Sequence, residues 1–363
     1  MQIGIVGLPN VGKTTLFNAL TGAEAEVASY PFCTIEPNIG VVEVPDERLL
    51  RLSEMIRPQR TVPTTIKFLD VAGLVRGSSH GEGLGNQFLA KIREADAIAQ
   101  VVRCFEREDI SHVEGELSPL RDIEIVETEL LLADLAVVER RLDKARGAGR
   151  SGDEKAKKRV QGLEKIKEHL QRGKLARLLP LDEDEQKLME ELSLLTRKPT
   201  IYVANVSEDA LDEKSQERLR EIFDKARDNG AEVVIVAAKF ESELAQLESE
   251  ERKEFLREEG LEESGLDQFI KASYKLLDLV TFFTTVGPEV RAWTINKGTR
   301  APQAAGKVHS DMERGFIRAE VVSYGDLLAA GSVPRARELG IYRLEGKDYV
   351  VQDGDVTYFR FAV

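Results

Sequence analysis

The 363-residue sequence predicts an α/β protein: a doubly wound sheet, interrupted by a helical insertion and followed by a small β-rich part. Three observations carry that expectation. Short β-branched runs alternate with helical stretches through residues 1–121 and again through 196–279, and strands interleaved with helices build a parallel sheet that takes its ligand at the strands' carboxyl ends. Residues 122–195 lose the strand signature and adopt three- and four-residue apolar spacing. Over 280–363, segments rich in Val, Thr, Ile, Tyr and Phe are separated by Gly-Pro, Asn-Lys-Gly and Asp-Gly breaks.

In chain order, Ile3–Val6 is the first strand, a Gly-rich turn follows, and Lys13–Leu20 reads as a helix. The runs Thr65–Val71, Ala97–Cys104, Pro199–Asn205 and Glu232–Ala237 read as buried parallel strands. Within the insertion, Ile123, Val126, Leu130, Val137 and Val138 form one helical set. Ala156, Val160, Leu163, Ile166 and Leu170 form another, and the Gly-rich stretch 147–153 separates the two. An antiparallel, coiled-coil-like helical hairpin is the expectation. The last part carries strands at Val280–Thr285, Val290–Ile295, Phe316–Ser323 and Val356–Phe361, with no nucleophile–base pair or metal spacing, which favours a binding role.

Composition sets the outer bounds. With 42% hydrophobic and 32% charged residues the chain is globular, and no run of eighteen apolar residues predicts a membrane span. The strand pattern starts at Met1, leaving no stretch that reads as a signal peptide. Cys33 and Cys104 make neither a disulfide framework nor a metal spacing; both read as small buried residues of a reducing, cytoplasmic compartment. The net charge of -13 excludes a general nucleic-acid coat. Yet between Lys144 and Lys174 there are eleven basic residues (Lys144, Arg146, Arg150, Lys155, Lys157, Lys158, Arg159, Lys165, Lys167, Arg172, Lys174) against four acids. This tip predicts RNA contact, with an ordinary solvated helix face as the alternative.

The chemistry concentrates in Gly7-Leu8-Pro9-Asn10-Val11-Gly12-Lys13-Thr14, a Gly-x4-Gly-Lys-Thr turn between a strand and a helix. Such a turn aims successive main-chain N–H groups at phosphate oxygens, and the helix N-terminus adds its dipole. Asn10, Val11 and Gly12 are therefore expected to cradle phosphate, Lys13 to bridge the β- and γ-phosphates, Thr14 to ligate magnesium, and Thr15 to reach the α-phosphate. Asp70-Val71-Ala72-Gly73 ends a strand, so that Asp70 can hold magnesium through water and the Gly73 N–H can meet the γ-phosphate. Thr34, about twenty residues beyond Lys13, is the candidate for the second magnesium-binding hydroxyl.

Two departures from the guanine-specific pattern stand out. Ras-type GTPases place a water-orienting Gln after the switch glycine; here Leu74 holds that position and cannot bond water. Arg76, His80 and His112 are the candidates for a substitute. Where guanine readers carry Asn-Lys-x-Asp, this chain has Asn205-Val206-Ser207-Glu208. The missing bidentate geometry costs roughly 1–3 kcal/mol of discrimination. Asn205 is still expected to bond the purine, with Val206, Glu208 and the main chain of Ala238 around it. ATP is the favoured nucleotide and GTP the alternative.

Taken together, Gly-Leu-Pro-Asn-Val-Gly-Lys-Thr-Thr at 7–15, Tyr-Pro-Phe-Cys-Thr-Ile-Glu-Pro-Asn at 30–38, Asp-Val-Ala-Gly-Leu-Val at 70–75, Gly-Glu-Gly-Leu-Gly-Asn at 81–86 and Asn-x-x-Glu at 205–208 resemble the YchF/Obg-like ATPase family. The stretch around 306–317 looks like that family's TGS domain, a β-grasp module. The resemblance runs nearly end to end. It implies a P-loop NTPase fold with an inserted coiled-coil hairpin (122–195) and a C-terminal TGS domain (280–363), and an ATP-hydrolysing switch that associates with ribosomes. By similarity, His112 becomes the better water-positioning residue, and Ser78-Ser79 before the glycine loosens any role for His80. In some members an Asn at the position of Asn10 holds potassium near the phosphates, which makes potassium the second cation that the resemblance puts forward. The competing functional readings are a GTP-preferring switch and a nucleotide-gated ribosome- or RNA-binding protein with negligible hydrolysis. A small-molecule kinase is disfavoured by the switch-like Asp70 and Thr34 segments.

Overall fold

The structure, a computed structural model, describes residues 1–22, 38–71, 73, 84–106, 117–148, 154–208 and 212–362. The elements run β1 (Gln2–Val6), α1 (Lys13–Gly22), β2 (Ile39–Glu43), α2 (Glu47–Ile56), β3 (Arg60–Val62), β4 (Thr65–Asp70) and α3 (Leu84–Glu94). Next come β5 (Ala97–Arg103), α4 (Pro119–Ala148), α5 (Glu154–Gln171), α6 (Glu183–Leu192), β6 (Thr200–Asn205), α7 (Glu213–Asn229) and β7 (Glu232–Val236). Helices α8 (Ala238–Leu244), α9 (Ser249–Glu258) and α10 (Gly265–Leu276) lead to β8 (Leu279–Thr284) and β9 (Glu289–Asn296). The chain closes with α11 (Ala301–Val308), α12 (Ser310–Arg314), β10 (Phe316–Ser323), α13 (Tyr324–Ala330), α14 (Val333–Glu338), β11 (Arg343–Glu345) and β12 (Asp355–Phe361).

The first sheet has the order β2-β4-β1-β5-β6-β7. β1 pairs in parallel with β4 and β5, and β6 in parallel with β5 and β7. Every residue of β5 and β6 is buried, as expected of central strands covered on both faces, and this is why their sequences are nearly continuous apolar runs. The strand order reverses beside β1, so the turn after β1 opens at the crevice where such sheets bind ligands.

In the insertion, Arg146 pairs with Glu164 and Lys167 with Glu139, so one index falls as the other rises and α4 and α5 run antiparallel. Val138 and Leu142 interlock with Leu163, Ile166 and Leu170. The hairpin is not bare. Leu188, Met189 and Leu192 of α6 join the same core, and α6 is started by a capping box in which Asp182 and Glu185 exchange bonds. Buried Asp134 of α4 accepts from Leu195 N (2.8 Å), Thr196 N (2.8 Å) and Thr196 Oγ1 (2.7 Å). This links the helical layer to the segment that enters β6.

The second sheet has the order β11-β10-β12-β8-β9-β3 and is covered on both faces. Consecutive residues Phe282 and Phe283, and again Val321 and Val322, fall into opposite cores, the period-two alternation of a strand. One core includes Ala301, Ala304 and Ala305 of α11; the other includes Leu49 and Leu52 of α2 and Leu327 of α13.

The compact units divide the chain differently from the sequence reading. They are Met1–Val41 with Lys67–Phe269, and Val42–Ile66 with Ile270–Val363. Residues 122–195 pack within the first unit. Residues 42–66, assigned from sequence to the nucleotide domain, sit in the second. β3 pairs in parallel with β9, Leu49 and Leu52 fill the core around Phe283, and Arg48 binds Asp353 at 2.7 Å.

Candidate nucleotide site

The turn after β1 keeps its shape through residues that tolerate unusual backbone. Asn10 and Gly12 lie at φ 62° and 96°. A Cβ on Gly7 would stand 2.6 Å from the Val101 carbonyl oxygen, and one on Gly12 would collide with the Asn205 amide. Only glycine lets this loop lie so close to β5 and β6. Lys13, buried at the start of α1, donates from Nζ to the carbonyls of Gly7 (3.0 Å) and Leu8 (2.6 Å). Burial lowers its pKa to about 8, against the pull of Asp70.

Asp70, half-buried at the end of β4, is pushed above the ordinary carboxylate range by burial, while Lys13 and Lys91 pull it back. A Cβ on Gly73 would be 3.2 Å from Lys13 Nζ and 3.4 Å from Pro9 N, so the switch glycine stands at the phosphate end of the loop. Among the described residues no trio of His, Cys, Asp or Glu gathers. Thr14 and Asp70 supply instead a hydroxyl and a carboxylate, a donor set that fits a hard dication retaining several waters.

Asn10, Gly12, Lys13, Thr14, Thr15, Asn205, Val206, Glu208 and Ala238 all line one cavity of about 540 Å³. Val11 is buried behind it and contributes its main chain. Asn205 has a structural part beside its place in the lining. It is buried, its Nδ2 donates to Val11 O (2.9 Å), and its Oδ1 accepts from Ala238 N (3.1 Å). Both ends of the amide are engaged with protein, so Asn205 ties the phosphate loop to the segment after β7 and sets the spacing of the cavity walls.

Phe105 and Phe240 also line the cavity and were not singled out from sequence. The Arg103 guanidinium lies 4.7 Å from the Phe105 ring centroid, and its Nε donates to Phe105 O at 3.1 Å. These contacts hold the ring just beyond the end of β5, in the wall of the cavity. The only signal in the sequence was an aromatic directly after a buried strand. Thr34, Leu74, Arg76, His80 and His112 lie outside the described residues.

A parallel sheet whose first strand runs into this loop, with lysine and threonine opening the next helix and a carboxylate at the end of the neighbouring strand, defines a P-loop nucleoside triphosphatase. Residues 2–139 match a family model described as 50S ribosome-binding GTPase, and residues 279–362 match the YchF-GTPase C-terminal model, described as a protein of unknown function. The chain is 55% identical over 364 residues to the Ribosome-binding ATPase YchF of Bacillus subtilis, covering 100% of both chains. It is 53% identical to the protein of that name from Pasteurella multocida, covering 100% of this chain and 99% of the relative. A solved structure described as the Schizosaccharomyces pombe YchF GTPase superposes with a TM-score of 0.90 at 37% identity, over 99% of this chain and 97% of that one. The chain belongs to the YchF family.

Proposed function

We propose that this protein is a cytoplasmic, ribosome-associated switch that binds ATP and hydrolyses it slowly. The observation that carries the reading is the single cavity joining the phosphate loop to Asn205-Val206-Ser207-Glu208, where the guanine-reading Asp is replaced by a longer carboxylate and the Lys by Val206. Relatives at 53–55% identity bear the name Ribosome-binding ATPase. The fission-yeast relative is described as a GTPase, which keeps GTP as the alternative nucleotide.

Thr14 and Asp70, with Thr34, would hold magnesium, which when bound neutralises charge on the transferred phosphoryl group. Potassium at Asn10 is the second cation proposed. Lys13 and the loop N–H groups orient the polyphosphate, and His112 is proposed to position the attacking water in place of the glutamine that Leu74 replaces. The basic hairpin tip and the C-terminal unit, read as a TGS domain, are proposed to face ribosomal RNA. No helix of the described residues is long and apolar enough to cross a membrane.

Competition binding with labelled ATP and GTP tests the base preference: a tenfold advantage for GTP, about 1.4 kcal/mol, would overturn it. Ribosome pelleting in matched ATP and ADP states tests the switch. Leu74 supports one other reading, a nucleotide-gated binder with negligible turnover, which ribosome-stimulated single-turnover hydrolysis would eliminate.

A further inference from the structure

The excess positive charge of the helical layer is distributed differently in space than along the chain. Of the eleven basic residues between Lys144 and Lys174, five are held by carboxylates: Arg146 by Glu164 (2.7 Å), Arg159 by Glu191 (2.6 Å), Lys165 by Glu185 (2.6 Å), Lys167 by Glu139 (2.9 Å) and Arg172 by Glu168 (2.5 Å). The excess counted along the sequence is thus partly offset in space, mostly along the length of the hairpin rather than at its turn.

A second group stands outside these pairs. Arg140, Arg141 and Lys144 follow Val137 at three-, four- and seven-residue spacing, which puts them on one face of α4. With Arg93 from the end of α3, and with Leu192 and Ser193 at the end of α6, they line a cavity of about 410 Å³. No carboxylate among the described residues forms an ion pair with any of these four cations. The acid in the lining, Glu191, is held by Arg159 and lies also in the field of Arg141. Arg140, an exposed residue, uses its Nε on Ala136 O (3.1 Å). Arg93 lies in the field of buried Asp134 and of Lys198.

We infer that Arg93, Arg140, Arg141 and Lys144 form a binding site for the phosphodiester backbone of RNA, on the side of the helical layer and separate from its tip. This rests on the ribosome-associated reading above and extends it. Three guanidinium groups and an ammonium around one open cavity match phosphate oxygens, which arginine engages with paired donors. Only Val137 and Leu192 supply apolar lining, so the site lacks the buried hydrophobic anchor that a protein partner needs. Three of the four cations stand on an exposed helix face rather than in an enclosed chamber, which suits an extended polyanion better than a small free phosphate compound.

The experiment uses the full-length protein, a fluorescein-labelled RNA hairpin and purified ribosomes. The double variant R140E/R141E is compared with K157E/K158E at the tip, and unchanged ATP affinity certifies the fold of each. Loss of two phosphate contacts should make the slope of log K against log salt shallower by about 1.4–1.8 and weaken hairpin binding by about tenfold or more at low salt. Unchanged affinity and slope in R140E/R141E would overturn the site, as would polyglutamate displacing the hairpin as well as unlabelled RNA does. Wild-type protein that binds the hairpin but fails to pellet with ribosomes would defeat the ribosome reading while leaving the RNA site standing.

Discussion

Raising the pH from 7 to 9 should weaken triphosphate binding about tenfold through Lys13, a loss of about 1.4 kcal/mol. Burial lowers the pKa of this lysine to about 8 in the free protein. A bound polyphosphate favours the ammonium form and raises that pKa, so binding takes up a proton once the free lysine has lost its own. Affinity is therefore full below the free pKa and falls as pH rises through it. With a free value near 8, the apparent dissociation constant scales by about 1.1 at pH 7 and about 11 at pH 9, whereas an ordinary lysine near 10.4 changes it by only about 4%. The second ionisation of a phosphate, near pH 6, is about nine-tenths complete at pH 7 and complete by pH 9. Calorimetric titration with a non-hydrolysable triphosphate, in buffers of different ionisation enthalpy, reads both quantities. About 0.9 proton should be taken up per nucleotide at pH 9, and close to none at pH 7, where the last of the phosphate proton offsets the lysine. Flat affinity with no proton uptake at pH 9 would refute the argument that burial in this loop governs the lysine.

Three other substitutions probe the scaffold. Asn205→Ala removes the bonds to Val11 O and Ala238 N and strands two main-chain groups, so stability should fall by about 2–4 kcal/mol, read from urea melts, and nucleotide affinity should fall with it. Asp134→Ala leaves Leu195 N and both donors of Thr196 unpaired; a loss of about 2–4 kcal/mol is expected, with a smaller loss for Asp134→Asn, which keeps one acceptor. Leu52→Ala opens a void against Phe283 and Val290 and should cost about 2–5 kcal/mol. That loss should appear in the unfolding of the second unit, and ATP affinity should stay at the wild-type value if the nucleotide cavity belongs to the first.

What could be read from the chain alone was local. The phosphate loop needs only contiguous residues, because glycines free the backbone and the next helix begins with lysine and threonine. The buried strands β5 and β6 show as apolar runs, and the hairpin shows as spacing, since each pattern repeats within a few residues. Everything that depends on distant partners was decided by tertiary structure. Residues 42–66 join the C-terminal unit because Leu49, Leu52 and Arg48 meet Phe283, Val290 and Asp353, more than two hundred positions away. Asn205 became a clamp once Val11 and Ala238 closed on it. Charges that add up along the sequence cancel across the hairpin, where Glu139, Glu164, Glu185 and Glu191 approach the basic residues. A count of charge knows only order along the chain, while Coulomb attraction depends on distance, and distance is a property of the fold.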